Sequence, residues 1–158
     1  STIWYAKNSI ANSSNTVTVT FSSTATNRNV TVTQYSGVDL TNPLEWARFA
    51  TGASATTGTS GTFVPTASGN LTVSHIGVFN VDTPVGSANY VQRANNAGVN
   101  PNFQVQDRVN TPAGSQTCAI TWTNAATWGL SLVSFRPAFI DIPIIGQTFH
   151  PPPNARMR

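Results

Sequence analysis

Gln116-Thr-Cys-Ala-Ile-Thr-Trp-Thr123 and Trp128-Gly-Leu-Ser-Leu-Val-Ser-Phe135 are the two stretches of the sequence that decide its fold class. In the first, every second residue is apolar, so Cys118, Ile120 and Trp122 share one face of an extended chain. The second is nearly continuous in apolar residues, which is typical of a central strand that is covered on both faces. Helical periodicity is almost absent elsewhere, so the pattern predicts an all-β protein.

Further strands are expected on both sides of this region. Asn15–Phe21 and Asn29–Tyr35 alternate Val with Thr, and β-branched residues fit a half-buried pleated surface. Additional predicted strands are Thr2–Lys7, the residues around Phe63, Asn70–Phe79, Tyr90–Gln92 and Phe103–Val109. Roughly eight to ten short strands joined by polar turns predict an antiparallel, jelly-roll-like β-sandwich over residues 1–136.

Three connecting segments complete the predicted sandwich. Pro43–Phe49 is expected to form one short helix, because Asn42 can cap it and Pro43 suits its first turn. Ala50–Gly61, rich in Gly, Thr, Ser and Ala, is expected to be a loop, and Asn124–Thr127 a hairpin connection.

Charge is scarce in this chain. The 158 residues fit one domain, 8% of them are charged, and the formal net charge is +3. No dense Lys/Arg patch is present to neutralise phosphates, which argues against nucleic-acid binding. No apolar run of membrane-spanning length occurs, so membrane insertion is not expected. Because a polar but nearly uncharged surface gives little repulsion between copies, it tolerates dense packing of subunits.

Residues 137–158 form a segment of different character, predicted to be an extended, Pro-rich, apolar C-terminal arm. Its five prolines exclude a helix or a central strand. Its large apolar residues are unsuited to a free linker, and we expect the arm to pack either on its own domain or on a neighbouring copy, adding a strand there. These candidate assembly residues are Phe139, Ile140, Ile142, Ile144, Ile145 and Phe149.

Several motifs carry a family resemblance: Ile3-Trp-Tyr-Ala-Lys-Asn8, Gln34-Tyr-Ser-Gly-Val-Asp39, Asn42-Pro-Leu44 and the closing Trp128–Phe135 run. Together they resemble concanavalin-like or jelly-roll β-sandwich modules of large secreted bacterial proteins and of phage structural proteins. The resemblance implies an extracellular, cell-surface or virion location and supplies no catalytic motif. In such modules further strands precede the Trp-Tyr-Ala run, so we expect a trimmed domain or an edge completed from elsewhere.

The residues with catalytic or metal-binding chemistry are few. The five acids are Asp39, Glu45, Asp82, Asp107 and Asp141, and no two have the spacing of a glycosidase pair on one strand. His75 and His150 are too far apart in sequence to indicate a metal site, and Cys118 is expected to be a small buried residue. We therefore expect no enzyme activity and no cofactor. Calcium is the one weak metal candidate, through Asn80, Asp82 and Asp107, and ordinary turn roles are the favoured explanation of these residues.

Aromatic side chains indicate an alternative function, glycan binding. Flat rings stack on sugar faces, and Trp46, Tyr35 and Tyr90 are the candidate glycan contacts, although a core role explains Trp46 as well. The sequence thus predicts a structural or assembly subunit of an extracellular filament, surface layer or virion, forming a homo-oligomer or polymer through its arm. The alternative is a carbohydrate-binding or adhesion module of a larger secreted protein.

Overall fold

The computed structural model describes residues 2–10, 14–22, 29–80, 82–96 and 98–138. Within them the chain forms five strands, β1 (Leu44–Phe63), β2 (Asn70–Val78), β3 (Val91–Asn95), β4 (Asn102–Thr111) and β5 (Gln116–Phe135). All neighbours are antiparallel, and the strands form one sheet in the order β1-β5-β2-β4-β3. The described residues contain no helix. The all-β, antiparallel prediction is confirmed.

The sheet is centred on β2 and β5. Leu71 to Val78 pair with Phe135 to Trp128 without interruption, and Thr72 to Val78 pair with Arg108 to Asn102 on the other side. Nearly every residue of β2 is buried, so both faces of this strand are covered. The strands predicted at Asn70–Phe79, Phe103–Val109 and Trp128–Phe135 are therefore confirmed as parts of β2, β4 and β5. An apolar pattern on both faces marked the first and the last of them, whereas Phe103–Val109 carried a weaker pattern.

The two 20-residue strands β1 and β5 do not stay in one plane. Their ladder is regular from Trp46 to Gly52 and again from Thr57 to Thr59, but between Gly52 and Thr57 the partner advances seven residues, from Trp128 to Thr121. A β-bulge of this kind bends a strand pair. As a result β5 meets β2 twice: Leu132 lies beside Ser74 in the ladder, and the Cys118 Sγ donates to Ser74 Oγ at 3.4 Å. A straight strand would separate Leu132 and Cys118 by roughly 46 Å.

The bend places the distal halves of β1 and β5 over one face of the sheet, which we call the first face. The core between them contains Phe63, Ile76, Cys118, Ile120, Trp128, Leu130 and Leu132. At Gly58 this layer comes so close that a Cβ would stand 2.8 Å from Ile76 Cδ1 and 2.9 Å from Trp128 Cε3. The opposite face buries Leu71, Val73, Val105, Val133 and Phe135, with Ile3, Tyr35 and Val38 packed against them.

Several predicted elements are wrong. The helix expected at Pro43–Phe49 and the loop expected at Ala50–Gly61 belong to β1, and the connection expected at Asn124–Thr127 lies within β5. Small residues suit β1 because its distal half packs closely on Trp128 and Ile76. Described residues of the predicted strands at 2–7, 15–21 and 29–35 form no strand.

Candidate functional site

The described chain ends against its own N-terminal segment. Val38 and Pro137 form an antiparallel bridge, in which Asp39 N donates to Arg136 O at 3.0 Å and Ala138 N donates to Gly37 O at 2.9 Å. The Arg136 guanidinium also donates to the carbonyls of Asn42 at 3.0 Å and Leu44 at 2.7 Å. These bonds hold Arg136, Pro137 and Ala138, the last residues that the structure describes, against residues 37–44.

Two exposed segments precede Val38 in the sequence, residues 14–22 and residues 29–36. We call them the valine segments. Their apolar side chains remain substantially in solvent: Val17 is 62% exposed, Val19 48%, Phe21 43%, Val30 54% and Val32 62%. Among the described residues, main-chain pairing is absent from the central parts of both segments: residues 15–20 and 29–36 form no backbone–backbone hydrogen bond with another described residue. Unpaired, alternating Val and Thr residues of this kind are suited to accepting a further strand.

Tyr35 anchors the second valine segment to the sheet. Its hydroxyl donates to Asp107 Oδ2 at 2.6 Å, and Arg93 donates to the same carboxylate through Nε at 2.7 Å and NH2 at 3.0 Å. The Asp107 side chain is fully buried, whereas that of Arg93 is 41% exposed. Burial, together with the hydrogen bond to Asp107, raises the pKa of Tyr35 to about 12. This group of three residues, the Asp107 clamp, ties the segment to β3 and β4.

A row of three carboxamides covers part of the first face. Asn102, Gln104 and Gln106 are completely buried on β4. Asn102 Nδ2 donates to Asp82 O at 2.7 Å, and Gln106 Oε1 accepts from Ser87 N at 3.0 Å and from Gln104 Nε2 at 3.2 Å. The row therefore holds the loop from Asp82 to Ser87 against the sheet, where Val85 bridges to Thr121 of β5.

The three calcium candidates are not all in one place. Asn80 Nδ2 and Asn124 Nδ2 donate to the Asp82 carboxylate at 3.0 and 2.9 Å, and Asn124 N donates to it at 2.5 Å. N–H donors thus surround this carboxylate and close one loop onto another. Asp107, five residues along β4 from the Asn102 that contacts Asp82, lies roughly 16 Å further along the strand. Within the described residues, no group of three or more His, Cys, Asp or Glu side chains could hold a metal ion.

The three glycan candidates are separated by the sheet. Trp46 and Tyr90 pack on the first-face core, whereas Tyr35 packs on the opposite face. The Trp46 Nε1 donates to Val64 O at 2.8 Å, and the Arg48 guanidinium carbon lies 5.0 Å from the Trp46 ring centroid. These residues therefore do not form a common sugar platform. Among the described residues, Trp4 has the most exposed aromatic side chain, at 89%, and it was not one of the three glycan candidates.

Glu45 holds the start of β1 to the start of β2. It accepts from Thr66 N at 3.0 Å, from Thr66 Oγ1 at 2.5 Å and from Asn70 Nδ2. Burial acts to raise the pKa of Glu45, but the hydrogen bonds from Thr66 and Asn70 outweigh it, so the pKa is lowered. The carboxylate is thereby kept ionised as a strand-joining acceptor.

Cys118 and His75 both lie inside the domain. Cys118 is fully buried, Gln106 Nε2 donates to its sulfur at 3.1 Å, and burial raises the pKa of the thiol. Burial lowers the pKa of His75 to about 4, and its ring stacks on Phe103 with centroids 5.9 Å apart. The neutral forms of both side chains are therefore favoured in the folded protein.

The candidate arm residues lie outside the described residues: Phe139, Ile140, Ile142, Ile144, Ile145 and Phe149. No helix in the part of the chain that the structure describes is long and apolar enough to cross a membrane. Comparisons with protein-family models, with curated proteins and with solved structures found no match to this chain.

Proposed function

We propose that this chain is a non-enzymatic structural subunit of an extracellular filament, surface layer or virion, and that copies are joined through the C-terminal arm. The observation that carries this proposal is the exposure of the valine segments, whose residues 15–20 and 29–36 combine apolar side chains in solvent with an absence of backbone–backbone hydrogen bonds to other described residues. Such an edge is a template for strand addition from another chain. In the proposed assembly, the added strands complete a jelly-roll-like sandwich.

The polar chemistry of the domain supports the same proposal. The carboxylates of Asp39, Glu45, Asp82 and Asp107 each accept hydrogen bonds that hold strands or loops together. For Asp39, the main-chain N–H groups of Asn42 and Thr41 lower the pKa of the carboxyl. The few charged groups are thus used for cohesion, and the rest of the surface is nearly uncharged, which favours close packing of copies.

The direct test is the mass in solution of the full chain and of a variant that ends at Ala138. Light scattering coupled to size exclusion, over a range of concentrations, should show concentration-dependent oligomers for the full chain and a monomer for the truncated variant. The truncated variant should keep its circular dichroism spectrum, because both cores form among residues before the arm. A monomeric full chain at high concentration, or unchanged assembly after truncation, contradicts the proposal.

A second candidate function, glycan binding by an adhesion module, rests on Trp4. Its ring is 89% exposed, and Tyr5 beside it is 49% exposed. An exposed indole ring can stack on a sugar face. Titration with soluble polysaccharides, followed by tryptophan fluorescence, tests this function, with Trp4→Ala as the variant that should lose binding and Trp46→Ala as its control. A discrete monomer that binds through Trp4 would favour this function over assembly.

A further inference from the structure

The sulfur of Cys118 lies in contact with the side-chain amide of Gln106. Gln106 Nε2 donates to Cys118 Sγ at 3.1 Å, and both side chains are completely buried. The carbonyl carbon of Gln106 is bonded to this nitrogen, so a thiol is held beside an amide carbonyl that it can attack. Gln106 belongs to β4 and Cys118 to the distal half of β5, so a bond between them would join the two layers around the first-face core.

N–H donors from two different segments meet at the carbonyl oxygen of the same amide. Gln106 Oε1 accepts from the main-chain N–H of Ser87 at 3.0 Å and from Gln104 Nε2 at 3.2 Å. Such donors polarise a carbonyl and stabilise the negative charge that develops on its oxygen during nucleophilic attack. Glycine is required beside this oxygen, because a Cβ on Gly86 would stand 2.5 Å from Gln106 Oε1.

The Gln104 carboxamide adds an independent feature to the site. It is fully buried and its Nε2 contacts Gln106, but its Oε1 has no hydrogen-bond partner among the described residues. Buried acceptors are normally paired, so an unpaired one beside the Gln106 amide requires an explanation. Ammonia that left Gln106 would be released next to this acceptor and could donate to it.

The proton that the reaction needs is already on the sulfur. Burial raises the pKa of the Cys118 thiol, and Cys118 Sγ donates to Ser74 Oγ at 3.4 Å. The neutral thiol is a weaker nucleophile than a thiolate, so the attack should be slow. The same proton is available to the nitrogen of Gln106, which cannot leave as an amide anion.

We propose that Cys118 and Gln106 form an internal thioester. The bond between Cys118 Sγ and Gln106 Cδ forms, the bond between Cδ and Nε2 breaks, and the thiol proton passes to the nitrogen, which leaves as ammonia. The carbon and the sulfur keep their oxidation states, so no oxidant or reductant takes part. The inference goes beyond the proposed function, because the residues of this site lie before the arm and do not depend on the joining of copies.

Intact-mass spectrometry of the full chain tests the proposal. Freshly purified protein should have a free thiol, and folded protein kept at neutral pH should slowly acquire a species that is lighter by one ammonia. A chain kept unfolded in urea should not acquire it. Over the same time, the fraction of Cys118 that reacts with iodoacetamide in urea should fall. A folded chain that keeps its full mass and its reactive thiol overturns the proposal.

Peptide mapping identifies the bond. Pepsin digestion of the lighter species at acidic pH should yield a peptide in which Gln106 is linked to Cys118. Methylamine should cleave this link and restore the thiol, because an amine attacks a thioester. This measurement uses the wild-type chain and does not depend on the folding of any variant. A lighter species without the linked peptide overturns the proposal.

Variants separate the thioester from ammonia loss at asparagine residues. Cys118→Ala and Gln106→Leu should each prevent the mass loss, whereas Gln104→Leu keeps the reacting pair and should slow it several-fold. Mass loss that persists in either of the first two variants contradicts the proposal, and an unchanged rate in Gln104→Leu contradicts the polarisation of the carbonyl. The variant that ends at Ala138 should form the thioester as the full chain does, whether or not the full chain assembles.

Discussion

Removing the hydroxyl of Tyr35 is the sharpest perturbation of the contact that anchors the second valine segment. The hydroxyl donates to the Asp107 carboxylate at 2.6 Å, and Tyr35 lies between an exposed segment and the ion pair of the buried Asp107 with the partly exposed Arg93. Hydrogen bonds to charged groups contribute about 1.5–3 kcal/mol to stability. Because Arg93 still neutralises Asp107 after the substitution, Tyr35→Phe should lower the free energy of unfolding by an amount within that range, rather than by the larger cost of an unpaired charge.

Urea unfolding followed by circular dichroism measures this change. For a domain of 158 residues, each 1 kcal/mol corresponds to about 2–4 °C in Tm, so thermal unfolding should show a fall of roughly 3–12 °C. The control is Tyr5→Phe, because the half-exposed Tyr5 packs its ring edge-on against Phe135 at 5.2 Å. The dependence of unfolding on urea should keep its slope in both variants.

A double-mutant cycle with Asp107→Asn separates the hydrogen bond from other effects of the Tyr35 substitution. The two side chains touch, so their effects should be strongly non-additive, with a coupling of about 1 kcal/mol or more. In addition, spectrophotometric titration should show one tyrosine ionising near pH 12 in the wild type and absent in Tyr35→Phe. A loss of stability as small as that of Tyr5→Phe, or additive effects in the cycle, would refute the anchoring role of the Asp107 clamp.

Three further outcomes are expected. Gly86→Ala should destabilise the domain by about 1–3 kcal/mol in urea unfolding, because its Cβ would stand 2.5 Å from Gln106 Oε1; a neutral effect would contradict the packing of this loop on the carboxamide row. The pKa of His75 is lowered to about 4 in the folded protein, against 6.5 in the unfolded chain, so the unfolded chain binds the proton first as the pH falls. The free energy of unfolding should therefore decrease by up to about 3 kcal/mol between pH 6.5 and pH 4. His75→Gln should flatten this part of the stability profile. Cys118 should resist iodoacetamide in the folded protein and react in urea, and rapid native labelling would contradict its burial.

The strands that could be predicted from the sequence are those in which the buried residues form a recognisable apolar pattern. Trp128–Phe135 and Asn70–Phe79 carry apolar residues on both faces, as expected for the central positions that β5 and β2 occupy in the sheet. β1 was not predicted as a strand, and the reason is physical. Its distal half crosses Trp128 and Ile76 at such short range that Gly, Ser, Ala and Thr are the residues that fit, and this composition is also that of a loop.

The valine segments show the opposite case. Alternation of Val and Thr indicates which face of a strand would be buried, but a strand also needs a partner that accepts and donates its main-chain hydrogen bonds. Within the described chain, residues 15–20 and 29–35 form no backbone–backbone hydrogen bond with another residue, so the pattern is present without the ladder. The Asp107 clamp could not be predicted either, because 72 residues separate Tyr35 from Asp107 and only the sheet brings them together.

The two core clusters of the described residues bear on the proposed joining role of the arm. The first-face core is closed by the bent distal halves of β1 and β5, the second is covered by Ile3, Tyr35 and Val38, and all the described members of both clusters precede Arg136. A segment that the core does not require can leave one copy and pair with another without unfolding either domain. The Val38–Pro137 bridge and the Arg136 bonds hold the start of the arm at one end of the valine segment. If truncation at Ala138 unfolded the domain, the arm would belong to the core, and exchange between copies would cost the stability of both.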